Sequence, residues 1–458
     1  MPTPQDLLMV LRTWHRLPAK QLVDRMKISR ATLMRAVQAL GPEVISRGKA
    51  RRTAYAARRP LRGSMTPLSL YKIDREGRGH EVGLLHLTYP AGCALDFLQP
   101  FDWPLEEAMQ DGWFEGLPYP LEDMRPQGFL GRHFARHHAN LLQVSEDPRL
   151  WSEDDVLHAL SLLGHDQPGN YILGEPAYRQ WLEQSQQALA FLHDEQVQSA
   201  YLACADNAMA QGVAGSSAGG EFPKFLARRL VNGAPVHVLV KFSGSDGSPG
   251  TRRWADLLIC EHLALQTVGQ LLQIEASRSR VYQMGGRTLL EVERFDRHGL
   301  QGRSAVCSWA SLNSAFFGLA GKPWPVGAAA LLKKGLIDEV SQTAIQRLWH
   351  FGQLIANSDM HDGNLSFVPG LQLAPVYDML PMAYAPLRGV ELPPRTFAPS
   401  LPLPSEQAAW QFAAEAAVHF WDLASKDGRI SESFRQTCAQ NAAVVREQLS
   451  QPKAGSPS

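Results

Sequence analysis

Three residues towards the C-terminal end have the types and spacing to do chemistry together. Asp359 lies in Asn357-Ser358-Asp359-Met360-His361-Asp362-Gly363-Asn364, and Asp378 follows in Val376-Tyr377-Asp378-Met379-Leu380-Pro381. A carboxylate can accept a hydroxyl proton, the part open to Asp359. A side-chain amide and a second carboxylate are hard oxygen ligands for Mg2+, the part open to Asn364 and Asp378. A base with two metal ligands is the equipment for phosphoryl transfer. Taken alone, the loop is equally a polar turn of the Asp, Gly and Asn residues that favour turns.

Three upstream segments supply what such a transfer needs, in order. Gly212-Val213-Ala214-Gly215-Ser216-Ser217-Ala218-Gly219-Gly220 is a small-residue run whose backbone N–H groups can approach phosphate oxygens. It lacks the Gly-Lys-Ser/Thr ending of a Walker A loop and also fits a flexible linker. Val236 to Phe242 reads as a strand carrying Lys241, a placement suited to nucleotide phosphates or to a plain edge lysine. The helix expected from Trp254 to Val268 carries Glu261, which either pairs with Lys241 or faces solvent. Arg287 to Asp296 reads as an apolar strand running into a charged turn, where a kinase hinge would lie. Segments around Ser366 and Leu373 should form a hairpin spacing the loop from Asp378.

These segments need a body. The chain has 458 residues, 45% apolar and 20% charged, room for roughly two to four domains and a sizeable core. No run approaches a membrane span, and MPTPQDLLMVLR does not read as a secretory signal. Five scattered cysteines (Cys93, Cys204, Cys260, Cys307, Cys438) fit reduced thiols, so a cytoplasmic location is expected. Formal charge is zero, which by itself argues against a nucleic-acid binder. The balance is uneven, however. Residues 1–62 hold 14 Lys and Arg against 3 Asp and Glu, net +11, leaving 31 against 42, net −11. A short basic module on a larger acidic body suggests DNA binding.

The pattern within that module agrees. Helices are expected over 4–14 and 18–26, and Ser29 should cap a third from Arg30 to Leu40. Leu33, Val37 and Leu40 make its buried stripe, opposite Arg30, Thr32, Arg35 and Gln38. A hairpin follows: Val44 to Arg47, a turn at Gly48-Lys49, then Arg51 to Tyr55. This is the order of a winged helix-turn-helix. Its third helix would enter the major groove of double-stranded DNA, and Arg47, Lys49, Arg51 and Arg52 would reach flanking phosphates. A three-helix packing module with a solvated charged face fits the same spacing. Residues 60–66 read as a linker, 81–89 as a strand, 112–200 and 405–449 as mostly helical, and 451–458 as a disordered tail.

Taken together, GSSAGGEFPK, VLVKF, ADLLICEHLALQ, VERFDR, NSDMHDGNLSF and YDMLP resemble the HipA family of bacterial serine/threonine kinase toxins. Leu121 to Pro126, Asp154 to Leu157 and Leu163 to Gly169 resemble that family's N-terminal subdomain. The fused basic module departs from typical members, which rely on a separate DNA-binding antitoxin, and is similar to the HipA-like YjjJ/HipH branch. The resemblance implies an α+β, two-lobed protein-kinase-like (HipA-type) fold preceded by a small winged helix-turn-helix domain. Residues 1–62 would bind DNA, 63–290 would form the N-terminal subdomain and N-lobe, and 291–450 the helical C-lobe.

It also implies ATP and Mg2+ as cofactors. Asp359 would be the catalytic base, Asn364 and Asp378 the metal holders, and Lys241 the contact to the ATP phosphates. Ala218, Gly219 and Gly220 would cover those phosphates, the backbones of Glu293 and Phe295 would meet adenine, and His361 would orient the loop. Ser216 and Ser217 are the candidates for an inhibitory autophosphorylation. The chain would act as a growth-inhibiting protein kinase toxin that binds DNA for autoregulation. A protein of unknown identity would be its substrate, and a homodimer would read paired half-sites. Other functions also fit: a DNA-binding regulator whose kinase-like part senses nucleotide or is inactive, a small-molecule phosphotransferase with the same Asp-x-His-x-x-Asn loop, or nucleic-acid cleavage, for which no dedicated motif exists.

Overall fold

The computed structural model describes residues 2–187, 190–210, 222–387, 392 and 394–450. Two compact units emerge, one of residues 1–126 and 135–188, the other of 127–134 and 189–458.

The first unit opens with α1 (Pro4–Thr13), β1 (Leu17–Pro18), α2 (Ala19–Met26) and α3 (Arg30–Leu40). Ser29 Oγ accepts the Thr32 N–H at 3.1 Å, satisfying one of the donors that a helix start leaves without an intrahelical partner. Leu7, Leu11, Leu22, Leu33 and Leu40 share one core. Strands β2 (Val44–Arg47) and β3 (Ala54–Ala57) form the hairpin, and β1 pairs with β3, giving the order β1-β3-β2. Arg51 and Arg52 belong to a 3-10 turn, Ala50–Arg52, rather than to the second strand. Ala50 turns the chain there with φ 51, and Thr53 Oγ1 donates to its carbonyl at 3.1 Å.

The stretch 60–66 is a closed turn, not a loose linker. Leu61 is buried, and Leu61 and Ser64 exchange two backbone bonds of 2.9 Å. The chain continues into β4 (Leu68–Ile73), β5 (Gly79–Leu87), β6 (Cys93–Phe97), α4 (Glu107–Gln110) and β7 (Trp113–Phe114). Helices α5 (Gly128–Leu142) and α6 (Glu153–Leu163), strand β8 (Tyr171–Leu173) and α7 (Glu175–Gln186) follow. The strands make one antiparallel sheet, order β7-β6-β5-β4-β8. Ile45, Ala54 and Ala56 of the hairpin share a buried cluster with Ala94 of β6 and Trp113 of β7. Small side chains at 54 and 56 let the indole approach the hairpin face.

The second unit contains α8 (Val197–Ala210), β9 (Lys224–Val231), β10 (Ala234–Phe242), α9 (Pro249–Thr267), β11 (Ser279–Met284) and β12 (Arg287–Glu293). Its antiparallel sheet runs β11-β12-β10-β9. Asn232 and Gly233, at φ 51 and 76, make the tight turn between β9 and β10 that Asn-Gly favours. Alternation along β10 sends Val238, Val240 and Phe242 to a core with Val197 and Tyr201 of α8, and Lys241 to the opposite face.

Short strands β13 (Arg297–His298), β14 (Gly302–Arg303) and β15 (Cys307–Ser308) lead into α10 (Trp309–Phe316), α11 (Trp324–Lys333) and α12 (Glu339–Leu354). Strands β16 (Ser366–Val368) and β17 (Gln372–Leu373) then pair as the expected hairpin between the Asp359 loop and Asp378. Helices α13 (Gln407–Lys426) and α14 (Glu432–Ser450) follow. Alanines 413, 414 and 417 are fully buried on α13, and Trp421 Nε1 donates to Leu354 O at 2.9 Å, fixing the end of α12 from which the Asp359 loop leaves. Among the described residues, no helix is long and apolar enough to cross a membrane. The tail 451–458 lies outside them.

Candidate functional site

Lys241 is the centre of a buried charge cluster. Its Nζ donates to Glu261 Oε1 at 2.7 Å and Oε2 at 2.9 Å, and it also contacts the Asp378 carboxylate. Lys241 is 4% exposed and Glu261 0%, while the Asp378 side chain is 33% exposed. Burial alone would lower the Lys241 pKa, but Asp378 and Glu261 outweigh it and hold the ammonium above its ordinary value. For Asp378 the upward push of burial is overcome by Lys241 and Lys224, and its carboxyl is held low. Glu261 is raised, chiefly by burial. The cluster therefore presents an ammonium and an ionised, partly open carboxylate side by side. Asp378 adopts φ 51, a left-handed conformation that non-glycine residues seldom hold and that recurs at functional sites.

The Asp359 loop is tied to that cluster through Asn357. Asn357 Oδ1 accepts the Asp359 N–H at 3.0 Å, and its Nδ2 reaches the Asp378 carbonyl at 3.4 Å. Asn364 Nδ2 donates to Asp359 O at 2.7 Å, so Oδ1 is the atom this side chain offers a ligand. Asn364 Oδ1 and the Asp378 carboxylate are hard oxygen donors, the type of ligand Mg2+ takes alongside water and substrate phosphates. His361 Nδ1 accepts the Gly363 N–H at 3.0 Å. Tyr377 OH donates to Gly363 O at 2.8 Å and lies 2.7 Å from Ser366 Oγ.

A family described as HipA-like C-terminal domain matches residues 216–449, and one described as YjjJ-like toxin, middle domain, matches residues 64–182. Toxin YjjJ of Escherichia coli (strain K12) is 38% identical over 94% of this chain and 95% of its own length. The chain belongs to the HipA-related, YjjJ-like toxin family. A chain from the Shewanella oneidensis MR-1 toxin–antitoxin complex of HipA, HipB and operator DNA shares the fold. It superposes with a TM-score of 0.51 at 14% identity, over 83% of this chain and 96% of that one. The mixed α+β architecture of that structure is thus also that of this chain.

Not every expected residue joins the cluster. The Glu293 N–H is engaged by Arg278 O at 2.8 Å, so a purine contact there would fall to its carbonyl. The Phe295 ring stacks against Tyr377, the neighbour of Asp378, at 6.0 Å. Ser216, Ser217, Ala218, Gly219 and Gly220 lie outside the described residues. Glu261, left open between pairing and solvent, pairs. Asn357, Tyr377 and Asn313, which donates to Asp362 Oδ2 at 3.0 Å, were not singled out. For Asn357 and Tyr377 the available signal was adjacency to the two acidic motifs.

In the basic module, Arg30 and Arg35 are exposed on α3. Thr32 is half-buried, its Oγ1 2.9 Å from Ser29 Oγ. Lys49 and Arg51 are exposed at the hairpin tip. Arg47 and Arg52 are not aligned with them as free wing cations. Arg47 pairs with Asp96, and Arg52 reaches Glu107 at 3.1 Å and Asp111 at 3.3 Å. The acidic partners come from β6, α4 and the residue after α4, brought close by the cluster around Trp113.

Proposed function

We propose that the protein is an ATP- and Mg2+-dependent serine/threonine protein kinase of the HipA type, acting as a growth-inhibiting toxin. The observation that carries this reading is buried Lys241 held between Glu261 and Asp378, with Asn357 joining Asp378 to the Asp359 loop. Lys241 would take the ATP phosphates, and Asn364 and Asp378 the metal. Mg2+ would neutralise charge on the transferring phosphoryl group, while Asp359 would accept the acceptor's hydroxyl proton. Glu293 and Phe295 would line the adenine end and His361 would shape the loop. Autophosphorylation of Ser216 or Ser217 would add about −1.5 to −2 of charge and compete for the phosphate cradle.

The Shewanella complex contains HipA, HipB and operator DNA. In the present chain, residues 1–62 would supply DNA binding as a fused winged helix-turn-helix, giving self-contained regulation and a dimer suited to paired half-sites. The test is labelled ATP with whole-cell extract, comparing wild type with Asp359→Gln and Asp378→Asn, alongside growth on expression. Loss of a general base costs ~10²-fold or more, so labelling and growth arrest should both disappear. Growth arrest that survives either substitution would overturn the kinase account of toxicity.

A further inference from the structure

The catalytic loop also forms one wall of a cavity of about 500 Å3, whose lining does not include Lys241, Glu261, Asp378, Glu293 or Phe295. Its walls are Asn357 to His361, Trp349 and Gln353 of α12, Ala383, and the segment from Thr396 to Ser400. The cavity therefore meets the Asp359 loop apart from the residues assigned to nucleotide and metal. A hydroxyl offered to Asp359 from this side would bring its flanking groups into the cavity.

The lining chemistry narrows what those flanking groups are. Trp349, Met360, Phe397 and Pro399, with three alanines, give it apolar surface. Its neutral polar groups are Gln353, Asn357, Ser358, Thr396 and Ser400, and its titratable groups are Asp359 and His361. Neither Lys nor Arg stands among these lining residues, so a polyanionic acceptor such as a nucleic acid or a sugar phosphate finds no matching cation. A single carboxylate, already assigned to the reacting hydroxyl, is a poor match for a polycationic small molecule. An uncharged, apolar side chain beside the acceptor hydroxyl matches both shape and charge.

We propose that this cavity is the acceptor-specificity pocket, taking a bulky apolar side chain of a polypeptide next to the phosphorylated serine or threonine. The proposal rests on the kinase reading and names the acceptor for that same site. Thr396, Ala398 and Ser400 stand on an exposed segment, so large residues can be introduced there without disturbing a core.

The test uses the full chain, ATP, Mg2+ and a degenerate peptide library with a central serine or threonine. Wild type should favour Leu, Met, Phe or Trp at one position flanking the acceptor. Ala398→Trp, which fills the pocket, should raise the KM for the favoured peptide ~10-fold and leave kcat little changed, the signature of lost uniform binding. Gln353→Arg should move the preference towards an acidic flanking residue. Melting curves with and without ATP and Mg2+ establish that each variant folds and binds nucleotide. Phosphorylation without a flanking preference, or an apolar preference that Ala398→Trp and Gln353→Arg leave intact, overturns the pocket while the kinase reading stands. ATP turnover with no peptide labelled overturns the peptide acceptor. Absence of any phosphoryl transfer overturns the kinase reading and the pocket with it.

Discussion

At the scale of single residues, the site depends on one ammonium satisfying two carboxylates. Substituting Lys241 with Met leaves Glu261 fully buried beside Asp378 without its ion-pair partner, Lys224 acting on the two carboxylates through space. Breaking a buried pair from one side costs ~3–5 kcal/mol. Lys241→Met should therefore lower the melting temperature as well as abolish phosphoryl transfer, whereas Asp359→Gln, on an exposed loop position, should lose transfer with little change in melting. Differential scanning calorimetry separates the two. His237, on the same strand, gives a pH prediction. Burial pushes its pKa down to about 4, helped by Arg297, Arg294 and Arg228 and opposed by the Gly299 carbonyl, to which its Nε2 donates at 3.0 Å. The unfolded chain takes up this proton near the ordinary 6.5, before the folded one does. Stability should thus be complete above 6.5 and fall as the pH drops towards 4. Urea titrations at several pH values should show a shallower loss for His237→Gln. Asp359, Asn364 and Asp378 could be picked out as candidates in sequence because the chemistry proposed for them dictates residue type and a short spacing. Glu261 was not decided there, since whether it meets Lys241 depends on the phase of α9 against β10.

At the scale of elements, the hairpin of β2 and β3 shows how far local pattern reaches. Helices α1, α2 and α3, the Ser29 cap and the hairpin were all readable, because caps, stripes and turn residues are local signals. The destination of Arg47 and Arg52 was not. Their acidic partners, Asp96, Glu107 and Asp111, lie far along the chain, and no short-range pattern encodes that meeting. If α3 carries the DNA contact, Arg35→Ala should weaken binding and reduce the slope of log affinity against log salt by about 1. Arg47→Ala and Arg52→Ala should leave that slope nearly unchanged and instead lower thermal stability slightly. Fluorescence anisotropy across a salt series, with melting curves alongside, distinguishes these outcomes. An equal loss of slope for all three would return the wing arginines to DNA.

At the scale of the whole molecule, charge and packing draw different boundaries. The charge changes sign near residue 62, and the full chain should bind DNA in a strongly salt-dependent way despite a formal charge of zero. A chain beginning at residue 63 should lose that binding. It should also melt earlier, since removal of Ile45, Ala54 and Ala56 uncovers Ala94 and Trp113. Anisotropy and calorimetry on the shortened chain check both. The mechanical meaning of that shared cluster goes further. Helix α3 is not a bead on a string. The turn at 60–66 is closed, the hairpin shares a buried cluster with the five-stranded sheet, and three acidic groups pair with two of its arginines, Arg47 and Arg52. If α3 does enter a DNA groove, a torque applied to it would pass through the hairpin into that sheet instead of being lost in a loose linker.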